Sequence, residues 1–425
     1  MLLRRDLRGV ADLAAALPAP PDDPGPVEAV RAVLADVAER GDDALRDLTE
    51  RFDGCRIDDF RVPRAACDRA LAAQPSRVRA ALEQAHGAIV AYHQAQCSDG
   101  FTLVRDGTTI TERVVPVRRA GCYAPGGRAA YPSTVLMTTV PARLAGVGAV
   151  ALCVPPGPDG AVAPITLAAA AVAGVDEVYR VGGAQAIAAL AYGTQSIPAV
   201  DVVVGPGNVF VALAKREVAG RVGVDGFAGP SEVVVVADAT VDPRWVAADL
   251  LAQAEHGPGG SAVLVTWDAA FADAVDGSLT ELLGHAERRA EIEATLSVGG
   301  LSVLVDDPGA AVRVVDVLAP EHVEVMCADA ASVAAGITNA GAIFVGPYAP
   351  AALGDYVVGT NHVLPTARTA RFASALRVDT FRKHVHVVEV DAAGLEGLAD
   401  ALVALAEAEG LPEHARSVSI RRSAS

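Results

Sequence analysis

The side chains best able to do chemistry are few and spaced in small groups. Gln253 and His256, in LLAQAEHGPGG, stand three apart at the end of a predicted helix and so share a face. That spacing suits two ligands to one metal ion. It equally suits a surface glutamine and a histidine capping a helix C-terminus. APEHV sets Glu321 beside His322 at the start of a strand. Neighbouring side chains in regular structure point apart, but at a strand entrance both can reach one cavity. There a carboxylate and an imidazole supply two bases of different strength, or else form a solvated pair. GDYVVGTNHVLPT adds Asp355 and His362, and His414 lies in the tail. With Gln253 and His256 these make a mixed N/O donor set that suits zinc or a similar divalent ion. Three glycine-rich pieces, YAPGG, VGGAQ and GPGN, fall at or near predicted strand ends, where open α/β sheets bind ligands. Tyr123, Gln185 and Asn208 in these pieces offer neutral polar contacts to a base, ribose or amide, although each piece alone is also an ordinary turn. His86, His93, His285, His384 and His386 read as structural or surface residues.

These groups must be held by an alternating chain. Apolar β runs at 147–153, 176–181, 201–204 and 232–237 are followed by helical stretches near 163–173, 184–192, 208–219 and 243–255. A second set of runs lies at 262–267, 301–307, 324–327 and 342–346. Runs separated by helices mean βαβ units and parallel sheets. Two α/β domains are expected, the first set of runs forming one sheet and the second set, with N-terminal segments, the other. Helices are also expected at 26–40, 76–96 and 392–409, and a hairpin about Asp106-Gly107. Residues 347–388 break the rhythm and read as an ordered functional loop region.

Composition narrows the class. The 425 residues are 52% hydrophobic and 20% charged, which excludes a mainly disordered chain. The net charge of −17 argues against a nucleic acid or an anionic membrane surface as main partner. Lys215 and Lys383 are the only lysines, so Schiff-base chemistry has little to work with. Cys55, Cys67, Cys97, Cys122, Cys153 and Cys327 are scattered without a CxxC pair, which reads as reduced thiols in a cytoplasmic enzyme. Asp12 interrupts the N-terminal apolar stretch and argues against a signal peptide. PPGPDG cuts the most apolar region, so no membrane span is expected there.

Read together, GCYAPGG, STVLM, VGGAQAIAALA, GPGN, AGPSEV, QAEHGP, PEH and GDYVVGTNHVLPT, in this order, closely resemble the histidinol dehydrogenase family. The resemblance runs from about residue 25 to the C-terminus. It implies a zinc-containing homodimer that oxidises L-histidinol to L-histidine with two NAD, in the last steps of histidine biosynthesis. It implies zinc ligands Gln253, His256, Asp355 and His414, one ion per subunit, and bases Glu321 and His322. Substrate contacts would come from these six with Ser231, His362 and Glu409, and NAD would be lined by Tyr123, Gln185 and Asn208. The implied fold is two incomplete Rossmann-like α/β domains with parallel sheets plus small N- and C-terminal segments. The expected partition is 1–22 as the N-terminal segment, 23–122 with 234–376 as the substrate and zinc domain, 123–233 as the NAD domain, and 377–425 as a helical tail reaching the partner subunit.

Three other readings compete. A relative could oxidise another small alcohol, such as a sulfonated diol, but Glu409 and His414 favour an imidazole substrate. A zinc hydrolase would use a metal, a Glu and a His, yet would not need the three strand-end motifs. A binding protein without activity would not need both Glu321 and His322.

Overall fold

The computed structural model describes residues 2–18, 25–127, 129–227, 229–257 and 259–422. One six-stranded sheet has the order β2 (Arg61–Val62), β7 (Glu177–Arg180), β6 (Ala149–Val154), β5 (Arg119–Tyr123), β8 (Val202–Val204), β9 (Gly223–Val224). All its pairings are parallel except β2 with β7. A second six-stranded sheet, wholly parallel, has the order β1 (Leu3–Asp6), β12 (Gly300–Leu304), β11 (Ser261–Thr266), β10 (Glu232–Ala237), β13 (His322–Met326), β14 (Ala342–Val345). An antiparallel sheet of β15 (Arg382–Val390), β4 (Thr108–Pro116) and β3 (Gly100–Arg105) stands apart from both. In each large sheet the five later strands run outward from the first in both directions. That is a doubly wound, Rossmann-like order with one switch point per sheet.

Both large sheets are covered on both faces, which is why their strands are continuous Val, Ala and Leu runs. Cys122 faces a core with Ile89 and Leu136, while the next residue, Tyr123, faces one with Leu34, Leu45 and Ile187. In the second sheet, Val233 and Val235 face Leu250, and Val234 and Val236 face Val314. Two helices of the second sheet start on side-chain caps. The Asp242 side chain accepts from Arg244 N ahead of Pro243, and the Asp307 side chain accepts from Ala310 N ahead of Pro308.

The structure changes four sequence-based expectations. The run 232–237 is not the last strand of the first set but the central strand of the second sheet. Residues 23–122, expected to fold with 234–376, build on the other sheet: the Val27–Arg40 and Ser76–Gln94 helices bury Leu34 and Ile89 in its two cores, and β2 and β5 join it. The physical reason is that a sheet buried on both faces needs more helices than its own crossovers supply. The N-terminal segment is not separate, since β1 extends the edge of the second sheet and Leu13 and Leu17 join its core. Residues 19–24, which hold the expected boundary at 22 and 23, lie outside the described residues. Finally, 347–388 is not all loop. It contains the Ala351–Tyr356 helix and runs into β15, whose nine residues pair with β4. The expected hairpin is present, with Asp106 and Gly107 both at positive φ.

Candidate active site

The acid–imidazole cluster grows from strand register. β10 and β13 are neighbours with Val233 opposite His322, so Glu232 comes opposite Glu321 at the strand entrances. Glu232 N donates to Glu321 Oε2 at 3.0 Å, and Glu321 N donates to Glu232 Oε2 at 3.3 Å. The His322 ring lies among oxygens. Its Nδ1 is 3.2 Å from Glu232 O and 3.5 Å from Glu321 Oε2, and its Nε2 is 3.7 Å from Asp355 Oδ1. Burial works against the imidazolium, but Glu321 and Asp355 together outweigh it and hold the ring's pKa up at about 10. The sequence suggested a base at His322; in this geometry two carboxylates keep it protonated.

Asp355, near the end of the Ala351–Tyr356 helix, is kept below the usual carboxylate range. Burial raises it, and His322, His362 and His256 together more than reverse that. His362 is oriented from two sides. Its Nδ1–H donates to Asp355 O at 3.0 Å, and Thr134 Oγ1 donates to its Nε2 at 3.1 Å. Thr134 lies on the Pro132–Leu144 helix of the other sheet, so this contact joins the two domains at the site. Asn361 fixes the preceding residue, donating to Met137 O at 2.7 Å and to His93 Nε2 at 3.2 Å. His93 is thus structural, as the sequence suggested. Gln253 is buried, and its Nε2 has no hydrogen-bond partner. Gly260 stands between it and Ser231: a Cβ there would lie 2.8 Å from Ser231 O and 3.7 Å from Gln253 Nε2.

A buried acid pair ties the supporting elements together. Glu324, on the His322 strand, accepts from Ala351 N at 2.6 Å at the start of the Asp355 helix. Asp249 lies on the Pro243–Ala254 helix, one turn before Gln253, and faces Glu324. Burial pushes both carboxyls up. The strand of His322 is thereby tied to the helix of Asp355 and set against the helix of Gln253.

The three glycine-rich pieces do converge. Tyr123 ends β5, Gln185 follows β7 and Asn208 follows β8, all at the C-terminal edge beside the β5/β8 switch point. They line a cavity of about 1420 Å³, larger than the ~300–1,000 Å³ of typical small-ligand sites. Gly183 N donates to the Tyr123 hydroxyl at 3.1 Å. Asn208 Oδ1 accepts from Val211 N at 3.1 Å, so this side chain also caps a helix. Asp53 lines the same cavity. Burial pushes it up to about 6, and its Oδ2 lacks a partner.

Not every expected residue is brought together within one chain. Glu409 and His414 are exposed on the C-terminal helices Ala392–Ala408 and Pro412–Arg422, with no hydrogen bond to the other site residues. Among the described residues, no three His, Cys, Asp or Glu side chains of this chain stand ready to hold one ion. The sequence reading missed Glu232, Thr134 and Asp53. Thr134 sits in STVLM and Glu232 in AGPSEV, so the signal was present, but which side chain faces the site depends on register.

Two Rossmann-like sheets, joined at an acid–imidazole cluster and carrying a large cavity at one switch point, define an α/β enzyme with a site between domains. The histidinol dehydrogenase family model matches residues 22–422. A histidinol dehydrogenase from Thermobifida fusca (strain YX) is 49% identical over 429 residues, covering 99% of this chain and 98% of that protein. One from Parasynechococcus marenigrum (strain WH8102) is 49% identical, covering 93% and 90%. The crystal structure of histidinol dehydrogenase from Elizabethkingia anophelis matches with a TM-score of 0.95 at 31% identity, covering 100% of this chain and 98% of that one. The chain belongs to the histidinol dehydrogenase family and is an oxidoreductase of histidine biosynthesis. Among the described residues, no helix is long and apolar enough to cross a membrane.

Proposed function

We propose that this chain oxidises L-histidinol through L-histidinaldehyde to L-histidine with two NAD, as a zinc-containing homodimer in the cytoplasm. The observation that carries the reading is the cluster of Glu321, His322, Asp355 and His362 at the domain junction, at 3.0–3.7 Å spacings. The zinc reading fits the donor types: a buried amide at Gln253, which would ligate through its carbonyl oxygen, a carboxylate at Asp355 and an imidazole at His256. These three, with His414 of the partner subunit, would hold the ion. Zinc would supply a fixed positive centre for the substrate's imidazole and amino nitrogens. NAD, held in the Tyr123, Gln185 and Asn208 cavity, would supply the hydride acceptor.

The protein's own groups then divide the proton work. A cation at Asp355 would remove one of the two carboxylates that hold the His322 ring protonated and so move the ring toward the neutral form, which takes the alcohol proton as hydride leaves. Glu321, kept in place by Glu232 N, activates the water that hydrates the aldehyde. Ser231 and His362 orient the substrate, and Glu409 accepts a hydrogen bond from the far imidazole nitrogen. Exposed Leu398, Leu402 and Leu405 on the Ala392–Ala408 helix, at i, i+4 and i+7 spacing, offer an apolar stripe that a second copy would cover.

The test is NADH formed per histidinol consumed, with and without a chelator. Two NADH per histidinol, lost on chelation and restored by zinc, is the expected result. One NADH per histidinol, or full activity in metal-free protein, would refute it.

A further inference from the structure

The chain has two lysines, and one of them, Lys215, is 1% exposed. It is paired with Asp225, whose side chain is 4% exposed. A buried ion pair is an expensive choice where an apolar pair would pack as well, so its hydrogen bonds are informative. Both point at one residue. Lys215 Nζ donates to Gly205 O at 2.9 Å, and Gly205 N donates to Asp225 Oδ2 at 2.7 Å. Gly205 opens the GPGN turn that follows β8 at the switch point.

Gly205 has a φ of 116°, and a Cβ there would lie 2.1 Å from Tyr123 O. No other residue fits so close to the end of β5. From Gly205 the chain reaches Asn208 in three residues. Asn208 caps the Val209–Val218 helix, and that helix carries Lys215 back to Gly205. On the other side, the Tyr123 hydroxyl accepts from Gly183 N, two residues before Gln185. A compact ammonium with three donors can serve a carbonyl and a carboxylate together, which a planar guanidinium does less well.

We propose that Lys215 and Asp225 are positioning residues for the dinucleotide: as a buried pair they hold Gly205 by both backbone groups, and through it fix Tyr123 and Asn208 on the cavity wall. This rests on the reading of that cavity as the NAD site. Neither side chain needs to touch NAD.

The test compares Lys215→Met with Asp225→Asn, made together, against wild type and Gln185→Ala. The double change removes both charges at once, which avoids a lone buried ion. The KM for NAD is expected to rise about tenfold or more, equivalent to about 1.4 kcal/mol, with the KM for histidinol unchanged and kcat at saturating NAD largely kept. General loss of fold would lower the active fraction without this split. A folded double variant with the wild-type KM for NAD, while Gln185→Ala raises it, overturns the clamp and leaves the cavity reading standing. If neither variant moves it, the cavity reading falls and takes the clamp with it. Should the double variant not fold, Lys215→Arg keeps the cation and is expected to raise the KM for NAD about threefold. An unchanged value there also overturns the proposal.

Discussion

His322 has a backbone carbonyl and two carboxylates within 3.7 Å of its ring nitrogens, so its charge state is set by its neighbours. Replacing it therefore tests a proton role rather than a contact. Loss of a general base costs ~10²–10⁴ in rate. Glu321→Gln should slow histidinaldehyde oxidation far more than histidinol oxidation, and His322→Asn should show the opposite bias. Single-turnover rates for each step check this, and equal losses in both steps for both variants would end the division of labour. Glu232 offers a pH test. Burial raises its pKa from 4.5 to about 7. The folded state thus keeps a proton that the unfolded chain releases, and stability falls as pH rises from about 4.5 to 7. Glu232→Gln keeps an acceptor for only one of Ala367 N and Glu321 N, but it cannot ionise, so its stability relative to wild type should gain about 1–2 kcal/mol between pH 4 and pH 8. Urea unfolding at the two pH values measures it; a gain that does not depend on pH would contradict the assignment.

Strand alternation separates chemistry from packing on β5. Tyr123 faces the cavity, so Cys122, its neighbour, must face the opposite core, where its thiol bonds to Thr138 O at 3.5 Å. Burial pushes the Cys122 thiol up to about 12 and raises Cys153 further. Neither can offer a thiolate to an aldehyde at neutral pH. Cys122→Ala and Cys153→Ala should each keep most aldehyde oxidation, within about tenfold of wild type, since only core packing changes. A folded Cys122→Ala protein with a rate ~10³-fold lower would revive a covalent mechanism. The two sheets also use opposite ends. The cavity opens at the C-terminal edge of β5 and β8, whereas the acid–imidazole cluster sits at the N-terminal entrances of β10 and β13. At the C-terminal side of β10 and β13, Asp238 bridges the strand ends by accepting from Ala328 N at 3.1 Å.

The C-terminal helices carry Glu409 and His414 away from the rest of the site, on an apolar face with exposed leucines. The proposed site shared between two copies would account for both facts. The test mixes two inactive variants, His256→Ala and His414→Ala, and lets them form heterodimers. One site of each heterodimer then collects both defects, and the other collects both intact ligands. Activity should return to about half of the heterodimer's sites, because each intact site works as in wild type. If His414 serves its own chain, every site keeps a defect, and no activity returns although heterodimers are present.

The sequence by itself determined the local elements and the chemical vocabulary. Alternating Val-rich runs and capped helices made the α/β class, the helix at Val27–Arg40 and the Asp106-Gly107 hairpin legible, because these depend on short-range periodicity and turn chemistry. The candidate site motifs were legible because their residue types suit the proposed reaction. Only the tertiary structure decided which sheet each strand joined. β10 follows β9 in the chain yet heads a different sheet, and pairing partners are chosen by burial across long separations rather than by neighbours in sequence. Register likewise decided that Glu232 faces Glu321, that Thr134 reaches His362 across the domain junction, and that Lys215 turns inward to Gly205. Those contacts join residues up to 228 positions apart, beyond the reach of any local pattern.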